Sequence, residues 1–274
     1  MKQSPSVTIV IPTYNAQKTI KDTIESVLNQ SYKNITLYIV DDCSTDNTIQ
    51  IIESLKENNI HIVKGNQNIG FCANWNRCLD FIEGDFFKLL PHDDTLERRS
   101  VEKMVELLLS DDSLVMVGSL RNIIDDNNKI VMKRGKLVNN KHICNYKSFI
   151  ITLTKMATNP LGEPGSILFK SEIIKKNNLK FSDNYELFID VDFYMKVLKF
   201  GECYLINEHL YNFRVWTNSY SVEHQKQQLC DTKSFFQEKI YQHTFLNSYA
   251  LLLNKINIYK NFFLKRLFYM FVVR

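Results

Sequence analysis

No uncharged apolar run in this chain approaches the 18 or so residues that read as a membrane-spanning helix. Its six cysteines, Cys43, Cys72, Cys78, Cys144, Cys203 and Cys230, form no CxxC pair. That absence speaks against a zinc ribbon and a disulfide framework, and fits a reducing compartment. Glycine is scarce, with 8 residues, and neither GxGxxG nor GxSxG occurs. A dinucleotide fold and a serine-hydrolase elbow therefore lack their main signatures. The opening MKQSPSVTIV has no secretory h-region, since Pro12 soon interrupts the apolar run, and a cytoplasmic location is expected.

A basic body is also lacking. The formal charge is +4, but Lys255, Lys260, Lys265, Arg266 and Arg274 lie in residues 255–274 beside no acid. Of 34 basic residues this leaves 29, against 30 acidic ones. Such a balance argues against a nucleic-acid-binding body, which carries a basic stripe.

Short apolar runs at 7–11, 35–40, 60–63 and 86–90 read as buried strands, and helix-period segments at 17–29, 46–57 and 71–82 alternate with them. The pattern predicts an α/β fold with a mostly parallel, Rossmann-like sheet flanked by helices. Beyond it, a helix is expected at 97–109, a strand at 114–119, the strand SILFK after a Pro/Gly cluster, a helix near 188–199 and strands over 203–215. The organisation expected is a nucleotide-binding half (1–95), an acceptor-binding and catalytic half of the same domain (96–222), and a basic, aromatic helical tail (223–274).

Chemistry concentrates at strand ends, where α/β sheets bind ligands. Pro12, Thr13, Tyr14 and Asn15 follow the first strand, offering a ring face, a hydroxyl and an amide to a base or ribose, or merely closing a turn. Asp41 and Asp42 end the second strand, where carboxylates accept from a base N–H or a ribose hydroxyl, or cap the next helix. Asn68 opens a turn with Gly70, with Asn74 and Asn76 beyond. Asp93 and Asp94 follow the fourth strand and suit Mg²⁺ or Mn²⁺ shared with phosphate oxygens, with His92 a weaker candidate ligand.

IVIPTYN, VDDCSTDNT, NIGFCANWN and PHDDTL, in this order and spacing, resemble the inverting family 2 glycosyltransferases of GT-A fold. The resemblance covers residues 6–100 most fully and persists at GEPGSILFK, IDVDFYMKVLKFG and LYNFRVWTNSYS. It implies transfer of a sugar from a nucleotide-diphosphate sugar, with Thr13, Tyr14, Asn15, Asp41 and Asp42 at the nucleoside; Pro12 and Asn68 are donor-binding candidates beside them. Asp41 suits a uracil N–H, which favours UDP. Where the family often has DSDD, this chain has Pro91, His92, Asp93 and Asp94. Asp93 stands in the metal place and one carboxylate is missing, so the number of metal contacts stays open. The resemblance implies Asp190 as general base, with Asp192 as alternative, and Arg214 as a partner of the donor pyrophosphate. Trp216 occupies the place of a frequent His.

The tail INIYKNFFLKRLFYMFVVR suits either an anionic membrane surface or packing on the body. The activity expected is sugar transfer to a hydroxyl of a glycan or lipid-linked acceptor in bacterial surface polysaccharide or lipooligosaccharide synthesis. It would take place at the inner face of the cytoplasmic membrane, with oligomerisation open. A nucleotidyltransferase is disfavoured because PTYNAQKT has no glycine and one lysine. A non-catalytic scaffold is disfavoured by the presence of Asp93, Asp94 and Asp190 together.

Overall fold

The computed structural model describes residues 4–57, 59–135, 142–185, 188–215 and 225–272. The first part alternates strands and helices: β1 (Val7–Thr13), α1 (Ile20–Leu28), β2 (Ile35–Asp41), α2 (Thr48–Ser54), β3 (Ile60–Lys64), α3 (Phe71–Cys78) and β4 (Phe86–Leu89). There follow β5 (Thr95–Leu96), α4 (Ser100–Ser110), β6 (Leu114–Ile124), β7 (Ile130–Arg134), β8 (Ile143–Cys144) and α5 (Tyr146–Met156). The remainder is β9 (Ile167–Lys170), α6 (Ser171–Lys176), α7 (Ile189–Val197), β10 (Glu202–Arg214), α8 (Gln225–Phe235) and α9 (Ser248–Val272).

These strands make one sheet in the order β3-β2-β1-β4-β9-β6-β10-β5, with β7 beside β6 and β8 beside β10. The expected parallel arrangement holds for β1 to β4. The second part makes the sheet mixed, because β9 runs antiparallel to both β4 and β6. β1 is buried throughout. Its Ile9 and Ile11 join one apolar cluster and Val10 the other, so the strand faces protein on both sides and needs no polar alternation. On α1, Ile20, Ile24 and Val27 repeat at helical spacing and are buried as one stripe.

Register brings the chemistry to one edge. Thr13 lies opposite Asp41 across β1 and β2, and β4 runs parallel to β1. The segments after β1, β2 and β4 therefore emerge together. β10 lies parallel to β6 and pairs with short β5, placing Tyr211 opposite Leu96 and Arg214 opposite Ile124.

The C-terminal helix α9 packs on α5. Helix α5 ends at Ala157 in the left-handed region (φ 53), which leaves its last carbonyls without helical partners. Asparagines of α9 satisfy them: the Nδ2 groups of Asn254, Asn257 and Asn261 donate to the carbonyls of Thr154, Lys155 and Met156, each at 2.7 Å. Among the described residues no helix is long and apolar enough to cross a membrane.

Candidate functional site

A cleft of about 1380 Å³ opens at the edge where these strands end. Pro12, Thr13, Tyr14, Asn15, Asp42, Asn68, Asp93, Asp94, Asp190 and Arg214 all line it. Asp41 is the exception among the expected residues. Its carboxylate turns back on its own loop, accepting from the backbone N–H of Ser44 at 2.9 Å and from Ser44 Oγ at 2.5 Å.

The loops after β1 and β2 brace one another. Asn15, at φ 47, donates its N–H to Ser44 Oγ at 2.9 Å, and its Oδ1 accepts from the N–H of Thr45 at 2.9 Å. The carboxylate of Asp42 accepts from the N–H groups of Ile69 and Gly70, each at 3.0 Å. Gly70 adopts φ 86, a conformation open to glycine, and so lets its N–H turn back toward Asp42 and Asn68 Oδ1. Asn74 is buried with its Oδ1 unpartnered, while its Nδ2 donates to the Val40 carbonyl at 3.0 Å. Tyr14 remains 43% exposed, leaving a ring face available to a base.

The acidic pair after β4 divides into two roles. Asp94 is buried, and its carboxylate accepts from the Tyr211 hydroxyl and, at 2.9 Å, from the backbone N–H of Arg214. Burial, followed by the neighbouring charge of Asp93, holds the Asp94 carboxyl well above the ordinary range. Asp94 thus fastens β5 and β10 together, whereas Asp93 is only half-buried and lines the cleft. Beside it, the Nδ1 of His92 is buried without a hydrogen-bond partner.

Arg214 is 1% exposed. Its guanidinium donates to the carbonyl of Asp93 at 2.8 Å, the carbonyl of Asp125 at 3.1 Å, Asn128 Oδ1 at 2.7 Å and Asp22 Oδ2 at 3.4 Å. Its fork holds the Asp93 backbone in place at the cleft wall. Trp216 lies outside the described residues.

Across the cleft, Asp190 sits in the first turn of α7. One oxygen accepts from the Val191 N–H and the other from Asn159 Nδ2, both at 2.7 Å. Asn159 also donates to the Gly162 carbonyl at 2.6 Å, which ties Asp190 to the GEPG loop. Burial pushes the Asp190 carboxyl up to about 7, with Glu163 adding to the rise against the Val191 and Asn159 bonds. Asp192 turns away from the cleft and pairs with Lys196 at 2.6 Å.

Several contributors escaped the sequence reading. Asn159, Tyr211 and the 2.8 Å ion pair of Arg121 with Glu163 carry no motif of their own. GEPG was legible as part of the resemblance, yet nothing in it told that Glu163 borders Asp190. Lys88, a cation in a buried strand, donates from Nζ to the carbonyls of Gly165 and Ile167 at 2.8 and 3.0 Å, fixing that loop from below. Lys265 of α9 also lines the cleft; burial lowers it to about 8.

The chain matches the family model described as Glycosyl transferase family 2 over residues 8–177. The chain belongs to glycosyltransferase family 2. An uncharacterized glycosyltransferase of Haemophilus influenzae is 25% identical over 88% of this chain and 75% of its own length. The Escherichia coli protein WfgD, named as a UDP-Glc:α-D-GlcNAc-diphosphoundecaprenol β-1,3-glucosyltransferase, is 29% identical over 63% of this chain and 71% of its own. Three other curated relatives are matched over 20–46% of their own length. Among solved structures, S. aureus TarS in complex with UDP-GlcNAc superposes with a TM-score of 0.69 at 15% identity, covering 94% of this chain and 72% of that one. The mannosyltransferase PcManGT from Pyrobaculum calidifontis, in complex with GDP-Man and Mn²⁺, gives 0.61 at 15% identity over 98% and 82%. At such identities the likeness establishes a shared fold: this family 2 glycosyltransferase has the α/β architecture of the GT-A enzymes.

Proposed function

We propose that this family 2 glycosyltransferase is an inverting, metal-dependent hexosyltransferase. It would move a sugar from a nucleotide-diphosphate sugar, UDP-linked by preference, to a hydroxyl of a glycan or lipid-linked acceptor. The observation that carries the reading is one cleft with two unlike carboxylates: Asp93 on one wall, and on the other Asp190, whose environment raises it to about 7. A carboxyl poised near neutrality is suited to take a proton in the transition state.

In this reading Tyr14, Thr13, Asn15 and the loops braced by Asp41 and Asp42 hold the nucleoside. Asp190, oriented by Asn159 and the Val191 N–H, removes the proton from the acceptor hydroxyl. That oxygen attacks the anomeric carbon from the face opposite the leaving group. The C–O bond to the diphosphate breaks as the new one forms, so configuration inverts in one displacement with no enzyme-bound sugar.

Among the described residues no three His, Cys, Asp or Glu side chains converge as a metal cage. The residues present still fit a divalent cation of the Mg²⁺ or Mn²⁺ type, which commonly takes one or two protein ligands and completes its shell with phosphate oxygens and water. Asp93 would hold it, with His92 Nδ1, buried and unpartnered, as a second donor and Asp94 as support. When bound, the cation supplies charge neutralisation for the departing diphosphate.

WfgD, by its name, acts on a diphosphoundecaprenol-linked acceptor, and TarS is solved with UDP-GlcNAc. The first supports a lipid-linked acceptor and the second a UDP-sugar donor. A role in bacterial surface-glycan assembly at the inner face of the cytoplasmic membrane is part of the same proposal. Thermal melts with UDP, dTDP, GDP and CMP, each with and without Mn²⁺, test the donor half. A ligand at a hundred times its Kd adds about 2.7 kcal/mol of stability. A metal-dependent rise with one diphosphate is expected, and no shift with any of them contradicts the reading.

A further inference from the structure

Helix α9 is amphipathic in the reverse sense. Its inward face is made partly of amides, Asn254, Asn257 and Asn261, bonded to the end of α5, with Ala250 and Ile258 buried between them. Its outward face is apolar. Tyr249, Leu252 and Ile256 in the first half, and Phe263, Leu267 and Met270 in the second, are all close to half exposed or more, with Phe263 at 60%. They recur at intervals of three and four, so they form one stripe about 30 Å long on the solvent side of a helix rising 1.5 Å per residue. A stripe of that size is not a water-facing surface, since exposed apolar patches of this kind mark interaction sites.

The charges beside the stripe select what covers it. Lys255 and Arg266 fall along one flank and Lys260 lies toward the other, all exposed. The chain has no acidic residue after Glu238. A second copy of the same helix would set cations against cations along the whole seam. A surface that is apolar within and negative at its border matches both features, with lysine and arginine stems lying along the apolar layer and their heads at the phosphates. Over its described residues the helix is not apolar enough to cross a membrane.

We propose that the outer face of α9 is a docking surface for an anionic lipid bilayer, with the helix lying in the plane of the interface. The same helix lines the cleft through Lys265 and Phe262, so docking would hold the cleft against the membrane. The proposal rests on the helix surface and is independent of which donor or acceptor the cleft takes.

The test is co-sedimentation of the full chain with vesicles of phosphatidylcholine, with and without phosphatidylglycerol, at low and high salt. Wild-type protein is expected to bind the anionic vesicles, less at high salt, and to bind neutral ones weakly. Ile256→Glu with Phe263→Glu removes two anchoring side chains and should weaken binding at least about 100-fold. Lys255→Gln with Lys260→Gln should weaken it about 30-fold, at roughly 5-fold per cation. These side chains are exposed, so an unchanged Tm accompanies each loss. Undiminished binding of either double variant, or equal binding to neutral vesicles, overturns the proposal. So does a wild-type dimer in sedimentation velocity that Ile256→Glu with Phe263→Glu dissociates, with no vesicle binding.

Discussion

Replacing Asp190 with asparagine is predicted to remove catalysis while making the protein more stable at alkaline pH. The native site raises this carboxyl from 3.8 to about 7, chiefly through burial. The folded protein therefore holds the proton more tightly than the unfolded chain. The resulting stabilisation is complete below pH 3.8 and is lost as pH rises through about 7. At pH 8 the ionised carboxylate costs up to about 4 kcal/mol relative to an acid kept neutral, and solvent reaching it through the cleft reduces that to about 2 kcal/mol. Asparagine is uncharged and of the same shape. It keeps one acceptor oxygen and loses the other, at about 1 kcal/mol. The net is a gain of about 1 kcal/mol at pH 8, or roughly 2–4 °C in Tm, that shrinks toward pH 5. Transfer should fall by about a hundred- to ten-thousand-fold, the usual worth of a general base. In the wild type, kcat/KM should rise with pH through about 7, as the base must be ionised. Melts at the two pH values, nucleotide titration and turnover read all three quantities. An Asp190→Asn protein that turns over normally, or that is folded but has lost donor binding, refutes the reasoning. So does one that is less stable than wild type at pH 8.

Other perturbations separate the remaining roles. Asp93→Ala should abolish metal-dependent nucleotide binding with little change in Tm without ligand, whereas unchanged metal dependence in calorimetry would move the cation elsewhere. Arg214→Lys cannot reproduce a fork that reaches two carbonyls, Asn128 and Asp22, and should cost about 2–3 kcal/mol with a matching fall in Tm. A Tm within error of wild type would mean the guanidinium is not held as described. Gly165→Ala places a Cβ against the ring of Tyr211, the residue that fastens Asp94, and should cost about 1–3 kcal/mol while weakening nucleotide binding. Unaltered affinity and melting would show that Tyr211 has room to shift.

Much of the nucleotide half was legible because local signals agree there. Buried strands written as apolar runs end in Asp41, Asp42, Asp93 and Asp94, and register alone brings those ends together. Asp190 was legible only through the family pattern, since a helix-start aspartate is ordinarily a cap. What sequence could not convey is which polar groups meet across the fold. Arg214 reads as a phosphate ligand, yet Asp22 and Asn128 come from distant elements to enclose it. Asp93 and Asp94 look equivalent until Tyr211 arrives on β10. The helix at 146–156 does carry a helical period, with Tyr146, Phe149, Ile150 and Leu153 on one face, but its β-branched isoleucines and threonines blur it, and the Asn145 cap on the Ser148 N–H marks its start. On α9 no motif marks the asparagines that close the end of α5.

The most direct test of the central claim is the stereochemistry of transfer. The protein is incubated with Mn²⁺, nucleotide sugars of known anomeric form and lipid-linked glycan acceptors, and the anomeric proton coupling of the product is read by NMR. The account predicts release of the nucleoside diphosphate and an inverted linkage, β from an α-linked donor. Retained configuration would contradict the single displacement driven by Asp190, and no release with any donor would contradict the transferase reading itself.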